Sequence, residues 1–212
     1  SLVHRYGRTP VLHGISLEIA AGETILVLGA NGAGKSTLFR CLLGIVAFGG
    51  TVLVDGLDPL AAGREVRRRI GYLPQHDGLQ GDMTVAESAA FTASLRGLPP
   101  AEGSRAVVQA RLADVGGRRV DELSGGMRRR LAFALALVGD PPILLLDEPT
   151  AGLDGESREA LTEHLRQVHR DRTILLATHL PGEHEELASR ALTLEAGELV
   201  VPRLAVVAGG AS

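Results

Sequence analysis

The sequence predicts an α/β fold with a mostly parallel sheet, small antiparallel strands near the N-terminus and an inserted helical subdomain. The first observation is that short, continuous apolar runs alternate with segments of helical periodicity, and such β–α–β order builds a parallel sheet that is buried on both faces. The second is that residues 80–130 change to helix start and stop signals.

The chain is therefore predicted to be one domain with two parts. An α/β body comprises residues 1–79 and 131–212, and the helical subdomain comprises residues 80–130. A length of 212 residues leaves room for one large domain with such an insertion, since a domain averages roughly 150 residues.

The body begins with predicted strands, a glycine-rich loop and a helix. Ile15–Ile19 alternates apolar and polar residues, which indicates a half-buried strand, whereas Thr24–Leu28 is a continuous run that indicates a buried one. The loop Gly29–Gly34 follows. Apolar residues then recur at helical spacing from Lys35 to Leu43, which predicts a helix.

Two more short strands are predicted before the helical subdomain. The runs Thr51–Val54 and Ile70–Leu73 have the length and the aliphatic content of strands. The arginine-rich stretch from Arg64 to Arg69 separates them and is predicted to be solvated.

Two helices are predicted within the helical subdomain. Thr84 and, three residues later, Glu87 form the capping-box pattern that begins a helix, and Gly97, Pro99 and Pro100 end it. The apolar face of the second helix comprises Val108, Leu112 and Val115, and this helix is predicted to end at Gly116 and Gly117.

The rest of the body predicts helices and strands in alternation. In the helix that follows Pro149, apolar residues at i, i+4 and i+7 form one buried stripe. The predicted elements are a helix from Gly126 to about Val138, a strand at Ile143–Leu146, a helix capped by Asp154, a buried strand at Thr173–Thr178 and an edge strand at Ala191–Leu194.

Composition excludes several classes of protein. Hydrophobic residues make up 45% of the chain and charged residues 22%, which excludes disordered, collagen-like and disulfide-rich proteins. A net charge of −3 provides no basic field, and we expect no nucleic-acid partner. The single cysteine, Cys41, fits a reducing compartment. The longest apolar stretch, Leu131–Val138, is shorter than the ~20 residues that span a bilayer, so we do not expect this chain to be an integral membrane protein.

A phosphate-binding loop is predicted at Gly29–Ser36, GANGAGKS, which matches G-x-x-x-x-G-K-S/T between a strand and a helix. Glycines let successive N–H groups point at a phosphate, and the helix N-terminus adds positive potential. Lys35 is predicted to reach the β- and γ-phosphates and Ser36 to bind Mg²⁺, as in the core of a P-loop NTPase. The alternative is a glycine-rich turn that only joins strand to helix.

Two carboxylates follow the predicted strand at Ile143–Leu146. Ligands of parallel sheets bind at the carboxyl ends of the strands, where Asp147 is placed to act on Mg²⁺ and Glu148 to polarise an attacking water as a general base. Alone, these acids could simply solvate a strand end. Beside a phosphate loop they predict a magnesium-dependent nucleoside triphosphatase.

A second anion-binding helix start is predicted at LSGGM, Leu123–Met127. Ser124 is placed to cap the helix, and Gly125 and Gly126 leave its backbone bare. Two such helix starts in one chain indicate that a second copy could bring its Ser124 loop onto the phosphates held by the first. Ser-Gly-Gly alone is also a common loop tripeptide.

Six motifs in order make the sequence resemble a known family. The chain closely resembles the ATP-binding-cassette ATPases of ABC transporters from Tyr6 to about Leu199. The motifs are GANGAGKST at Gly29–Thr37, YLPQ at Tyr72–Gln75, LSGGM at Leu123–Met127, ILLLDEP at Ile143–Pro149, AGLD at Ala151–Asp154 and ATH at Ala177–His179.

The resemblance implies a role for each motif. Asp147 and Glu148 would be the Walker B pair, Gln75 a glutamine that touches Mg²⁺ and the attacking water, and His179 a switch histidine on the γ-phosphate. Gln75 could also be an ordinary loop amide. The Walker A loop, which would bind ATP, comprises Gly29, Ala30, Asn31, Gly32, Ala33, Gly34, Lys35, Ser36 and Thr37.

The resemblance also implies a dimer of identical or different ABC subunits. Two subunits would pair head to tail around two ATP molecules, with the Walker A loop of one facing Ser124–Gly126 of the other. Asp154 would lie at that interface, and Tyr6 would stack on adenine. Tyr6 could also be a core residue.

The family resemblance implies a cytoplasmic ATPase subunit, peripheral on the inner face of the cell membrane, that drives a separate transmembrane permease. Met127 replaces the usual signature glutamine and, with the arginines that follow it, resembles the ABC-2-type exporter subgroup. Two alternatives stay open. A non-transport relative would act on the ribosome or DNA, and pull-down with a permease or with ribosomes separates these cases. An inactive module would close on ATP without turnover.

Overall fold

Two sheets are present in residues 1–169, 172–180 and 182–200, which the computed structural model describes. The end of the predicted body, residues 201–212, lies outside the described residues. The strands are β1 (Leu2–Tyr6), β2 (Thr9–Ile15), β3 (Thr24–Leu28), β4 (Ile70–Leu73), β5 (Ile143–Asp147), β6 (Thr173–Thr178), β7 (Arg190–Glu195) and β8 (Glu198–Val200). The helices are α1 (Lys35–Leu42), α2 (Gly63–Arg69), α3 (Val85–Leu95), α4 (Pro100–Gln109), α5 (Gly125–Ala136) and α6 (Gly155–Val168), with short 3₁₀ turns at Ala113–Val115, Val120–Glu122 and Glu185–Leu187. Among the described residues, no helix is long and apolar enough to cross a membrane.

The main sheet confirms the predicted fold class. Its strand order is β4-β5-β6-β3-β7-β8, and every pairing is parallel except the last, in which β8 runs antiparallel to β7. Strands β1 and β2 form a separate antiparallel pair. Continuous apolar runs form the central strands because both faces of the sheet are covered.

Helices cover the sheet on both faces. Alternate side chains of a strand point to opposite faces, so Ile25 and Val27 join one hydrophobic cluster with α1, while Leu26 joins another. The second cluster contains Phe133 of α5 and Leu161 of α6. The sheet is therefore the middle layer of three.

A third hydrophobic cluster lies among the helices between β4 and β5. Val85 and Ala89 of α3 pack there with Leu131 of α5. The capping box predicted at the start of α3 is confirmed: the Thr84 N–H donates to Glu87 Oε2 at 2.8 Å, and the Glu87 N–H donates to Thr84 Oγ1 at 3.2 Å. Since α5 contributes to this cluster and to the sheet cluster, it joins the two parts of the chain.

Two predicted strands are wrong. Strand β2 ends at Ile15, and the remainder of Ile15–Ile19 pairs with no strand, although Leu17 and Ile19 still pack against the core. In Thr51–Val54, only Val54 forms a bridge, to Leu57. In both segments alternate apolar side chains pack against the core without a strand pairing, and a sequence pattern alone cannot distinguish this from a paired strand.

The predicted helix boundaries need three corrections. The stretch from Arg64 to Arg69 lies within helix α2, because arginine is a good helix former and Val66 is buried on its inner side. Helix α4 ends at Gln109, well before Gly116, and Leu112 reaches the core from the turn beyond. Helix α3 ends at Leu95, and Gly97, predicted as part of its stop, follows with a φ of +73°, whereas Pro100 begins α4, as its fixed φ favours.

The strand predicted at an edge is not an edge strand. Strand β7 lies between β3 and β8, and it pairs with both. Leu192 and Leu194 are buried accordingly. The chain turns back after Gly197, and β8 pairs with the side of β7 that was predicted to be an edge.

Candidate active site

The carboxyl ends of β3, β4 and β5 meet at a cavity of about 160 Å³. Parallel strands bring these ends to one edge of the sheet, where ligands of such sheets bind. The predicted site residues that line the cavity are Ala30, Asn31, Gly32, Gly34, Lys35, Ser36, Thr37, Gln75, Asp147 and Glu148.

The loop between β3 and α1 forms one wall of the cavity. Gly34 has a φ of +109°, and a Cβ there would lie 2.9 Å from a methyl group of Leu12, so only glycine fits. Helix α1 begins at the next residue, and the first N–H groups of a helix have no partner within it. The loop therefore presents backbone donors suited to phosphate oxygens.

A buried ion pair joins this loop to the end of β5. Lys35 Nζ lies 3.2 Å from Glu148 Oε1, and the two side chains are 6% and 4% exposed. The same ammonium donates hydrogen bonds to the carbonyl oxygens of Gly29 at 2.6 Å and Ala30 at 3.3 Å. Lys35 thus stands where the loop, the carboxylate and the cavity meet, and a bound phosphate would compete with Glu148 for it.

Glu148 contacts His179 on its other side. Its Oε2 lies 2.8 Å from Nδ1 of His179, the residue that follows β6. The Glu148 backbone has a φ of +49°, which costs a non-glycine residue about 1–2 kcal/mol. Its N–H donates to the carbonyl of Ala177 at 2.9 Å. Such backbone strain persists where the surrounding structure fixes it, and it clusters at functional sites.

Asp147 offers two free oxygens to the cavity. The residue is 1% exposed, and neither carboxylate oxygen has a hydrogen-bond partner in the described part of the chain. Burial raises the pKa of the Asp147 carboxyl, and the nearby Ser36 hydroxyl and Lys35 ammonium oppose this shift. Oxygen ligands that lack partners suit Mg²⁺, so the residues present fit the implied metal.

The segment Ser124–Gly126 does not line the cavity. Ser124 caps α5, as predicted, by accepting a hydrogen bond from the Met127 N–H at 3.2 Å. Ser124 and Gly125 are exposed, whereas Gly126 packs against Ser157 of α6. Of the two helix starts that were predicted to bind anions, the start of α1 lines the cavity and the start of α5 does not.

Tyr6 and Asp154 also lie outside the cavity lining. The Tyr6 side chain is 44% exposed, its hydroxyl accepts a hydrogen bond from Arg40 at 3.3 Å, and its ring contacts His4 edge-on. Asp154 caps α6, as predicted, by accepting a hydrogen bond from the Ser157 N–H at 2.8 Å. Both residues are accessible to a ligand or a partner at the surface.

Known proteins are similar to this chain in sequence and in fold. The sequence pattern of the family described as "ABC transporter" matches residues 12–151, well over half of the chain. The chain belongs to the ABC transporter family. This confirms the resemblance on which the motif assignments rest.

Several curated ABC proteins are similar to this chain. The "Nod factor export ATP-binding protein I" of Rhizobium meliloti (strain 1021) is 43% identical over 207 residues, which cover 94% of this chain and 62% of that protein. The protein of the same name from Paraburkholderia xenovorans (strain LB400) is 43% identical over 202 residues, 92% of this chain and 66% of that protein. The chain thus spans somewhat less than two thirds of these relatives.

Solved ABC structures share the fold. The "ATP binding subunit of ABC transporter" superposes with a TM-score of 0.84 at 27% identity, over 93% of this chain and 85% of that one. A "bacterial Atm1-family ABC exporter with ATP bound" gives a TM-score of 0.83 at 32% identity, over 94% of this chain and 36% of that one. Together with the family match, these support the predicted P-loop core.

Arg129 is one of the arginines that follow Met127; motif analysis used them only as a subgroup marker and gave Arg129 no place in the site. It is 6% exposed and hydrogen-bonds carbonyl oxygens beside the two carboxylates. A signal was present: Arg129 shares the helical spacing i, i+3, i+4 and i+7 with the buried residues Ala132, Phe133 and Ala136 of α5. An arginine among the apolar residues on one face of a helix is predicted to be buried, so its guanidinium must have hydrogen-bond acceptors within the protein.

Proposed function

We propose that this chain binds Mg-ATP and hydrolyses it as the ATPase subunit of an ABC transporter. One observation carries the proposal: Lys35, Asp147 and Glu148 are buried together at a cavity whose wall is a phosphate-type loop. The family match supports ATP as the nucleotide. The roles below are proposed residue by residue.

The loop would hold the phosphates, and three side chains would hold the metal. Gly29–Thr37 supplies backbone donors, and Lys35 supplies a positive charge to the β- and γ-phosphates. Ser36, Gln75 and Asp147 are the proposed Mg²⁺ ligands, directly or through water. When bound, Mg²⁺ neutralises developing charge on the phosphate oxygens.

Glu148 is the proposed general base. Its carboxylate points to the cavity that would hold the γ-phosphate and the attacking water, and its contacts with Lys35 and His179 fix it from two sides. We propose that Lys35 passes from Glu148 to the phosphates when ATP enters, which frees one carboxylate oxygen to accept a proton. His179 then orients that carboxylate and can donate to the γ-phosphate.

A dimer would complete each site. Ser124–Gly126 does not line the cavity of its own chain, and Ser124 and Gly125 are exposed, so we propose that this helix start meets a nucleotide held by a second ABC subunit, identical or different. In that arrangement Asp154 would lie at the interface and Tyr6 would stack on adenine. The residues from 80 to 130 would form the helical subdomain and the rest of the chain the body.

We further propose that a separate transmembrane permease is the partner, and that the complex is an exporter. The relatives named above are export proteins by name, and Met127 with its following arginines suggests the ABC-2-type subgroup. The chain would then work in the cytoplasm, peripheral on the inner face of the cell membrane.

Phosphate release from ATP tests the proposed activity. We expect the purified chain to release phosphate from ATP in the presence of Mg²⁺ and to stop when EDTA removes the metal, since within the described residues the buried oxygens of Asp147 have no hydrogen-bond partner that could replace it. Colorimetric phosphate measurement gives the rate. A chain that binds ATP at equilibrium but releases no phosphate with Mg²⁺ would be an inactive binding module.

Mixed variants test the shared site. Lys35→Met removes the phosphate-binding ammonium, and Gly125→Asp places a negative charge at the helix start, where a Cβ meets no atom within 4 Å. Each variant alone should be inactive. A mixture in equal amounts should recover about a quarter of the unchanged rate, because half of the dimers contain one intact site of two.

The matched control is Gly117→Asp, in a loop where a Cβ also meets no atom within 4 Å. We expect it to hydrolyse ATP at the unchanged rate. If the mixture stays inactive at every ratio while both variants fold and form mixed dimers, the sites are not shared between chains.

A further inference from the structure

Arg129 links the helix that begins at Ser124 to the two strand ends that carry the catalytic groups. Its Nη1 donates to the carbonyl oxygens of Pro74 at 2.6 Å and Gln75 at 3.3 Å, which follow β4. Its remaining bonds go to three consecutive residues at the end of β5. Nη2 donates to Asp147 at 2.9 Å and Glu148 at 2.7 Å, and Nε donates to Pro149 at 2.8 Å.

All of these acceptors are backbone carbonyls. Arg129 is 6% exposed, and in the described residues no carboxylate forms an ion pair with it. Burial lowers the pKa of the guanidinium, and nearby acidic groups oppose this shift. The stability of a buried guanidinium that has only carbonyl partners depends on how many carbonyls it bonds and in which direction they point. The ends of β4 and β5 must therefore keep a fixed separation to maintain these hydrogen bonds.

The hydrogen bonds of Arg129 include one to the strained backbone of Glu148. Glu148 adopts a φ of +49°, and the hydrogen bond from Arg129 to its carbonyl, with that from its own N–H to Ala177, holds this conformation. The same guanidinium orients the backbone of Gln75. One side chain thus fixes the backbone of the proposed base and of a proposed metal ligand.

We propose that Arg129 is a positioning residue that couples the start of α5 to the placement of Glu148 and Gln75. The inference rests on the proposed ATPase function. Arg129 lies five residues after Ser124, on the second turn of the same helix. Any shift of α5 when Ser124 meets a partner's nucleotide would therefore change the direction of these hydrogen bonds. The serine-led helix then regulates the catalytic groups of its own chain.

Arg129→Lys tests this role with the charge retained. One ammonium cannot reach both strand ends as the guanidinium fork does, so the base and the glutamine loop lose their common support. We expect kcat to fall by roughly 100-fold, the effect of misplacing a catalytic group by about 1 Å. Equilibrium affinity for ATP, measured without Mg²⁺ so that the proposed metal ligands do not contribute, should stay within about twofold, because within the described residues Arg129 forms no hydrogen bond with the phosphate loop.

The matched control is Arg128→Lys, one residue earlier on the same helix, where no side-chain hydrogen bond occurs within the described residues. It should keep the unchanged kcat. A second readout uses Arg129→Ala with added methylguanidinium, which we expect to restore turnover in that variant but not in Glu148→Gln. If the alanine variant does not fold, the comparison of kcat between Arg129→Lys and Arg128→Lys decides whether Arg129 is a positioning residue.

Two results would overturn the inference. One is an Arg129→Lys chain with unchanged kcat. The other is a chain whose ATP affinity and melting temperature fall together with kcat, which a merely structural residue would give. Both presuppose that the unchanged chain hydrolyses ATP; absence of turnover in the unchanged chain refutes the proposed function instead.

Discussion

A Glu148→Gln chain is expected to bind ATP as tightly as the unchanged chain and to release phosphate roughly 10²- to 10⁴-fold more slowly. Glutamine has nearly the shape of glutamate, so the backbone and the His179 contact can persist, but its amide cannot accept a proton. In the proposed dimer two subunits enclose ATP, and we propose that its hydrolysis separates them, so ATP should trap this variant as a dimer. Phosphate release and light scattering with and without ATP measure the two effects.

The control for this variant is Glu65→Gln, in the first turn of α2 on the exposed surface. It removes the same charge from the chain without touching the cavity, and its rate should be unchanged. Turnover of Glu148→Gln at the unchanged rate would rule out Glu148 as the base. Loss of ATP affinity in the same variant would show that the carboxylate shapes the site rather than the reaction.

Lys35→Met is expected to weaken ATP binding by about 10- to 100-fold and to remove measurable hydrolysis. A charge-assisted hydrogen bond contributes about 1.5–3 kcal/mol, and each 1.4 kcal/mol is a tenfold change in affinity. Methionine fills the space of the buried stem, so the loss reports on the ammonium rather than on a cavity. Equilibrium binding of a fluorescent ATP analogue gives the affinity.

The change also leaves Glu148 buried without its cation, and this affects stability. Breaking one side of a buried ion pair costs about 3–5 kcal/mol, so the melting temperature of Lys35→Met should fall. The double variant with Glu148→Gln should recover part of that stability while ATP binding stays weak. Undiminished ATP affinity in a folded Lys35→Met chain would count against the phosphate-loop assignment.

Continuous apolar runs predicted the central strands well. Thr24–Leu28, Ile70–Leu73 and Thr173–Thr178 have the predicted bounds, and Ile143–Leu146 is longer by one residue. A strand buried on both faces needs apolar residues at every position, so its limits are visible in the sequence. The helix cap at Thr84 was equally predictable, because its hydrogen bond joins two residues only three positions apart, Thr84 and Glu87.

Half-buried segments were less predictable. Ile15–Ile19 alternates like a strand but has no partner strand, and the arginine-rich stretch from Arg64 to Arg69 is a helix that a few apolar contacts hold in place. In Ile15–Ile19 packing against the core gives the alternation without a partner strand, and in Arg64–Arg69 the helix propensity of arginine acts together with the packing of Val66.

The sequence by itself determined the chemistry that this protein carries: a glycine loop before Lys35, two acids after a buried strand and a serine-led helix start, each a local pattern. Only the tertiary structure decided how these groups meet. Placing β6 between β3 and β5 brings His179 against Glu148, and folding α5 over the strand ends buries Arg129. Strand order and helix docking depend on contacts between residues far apart in the chain, and local patterns do not encode them.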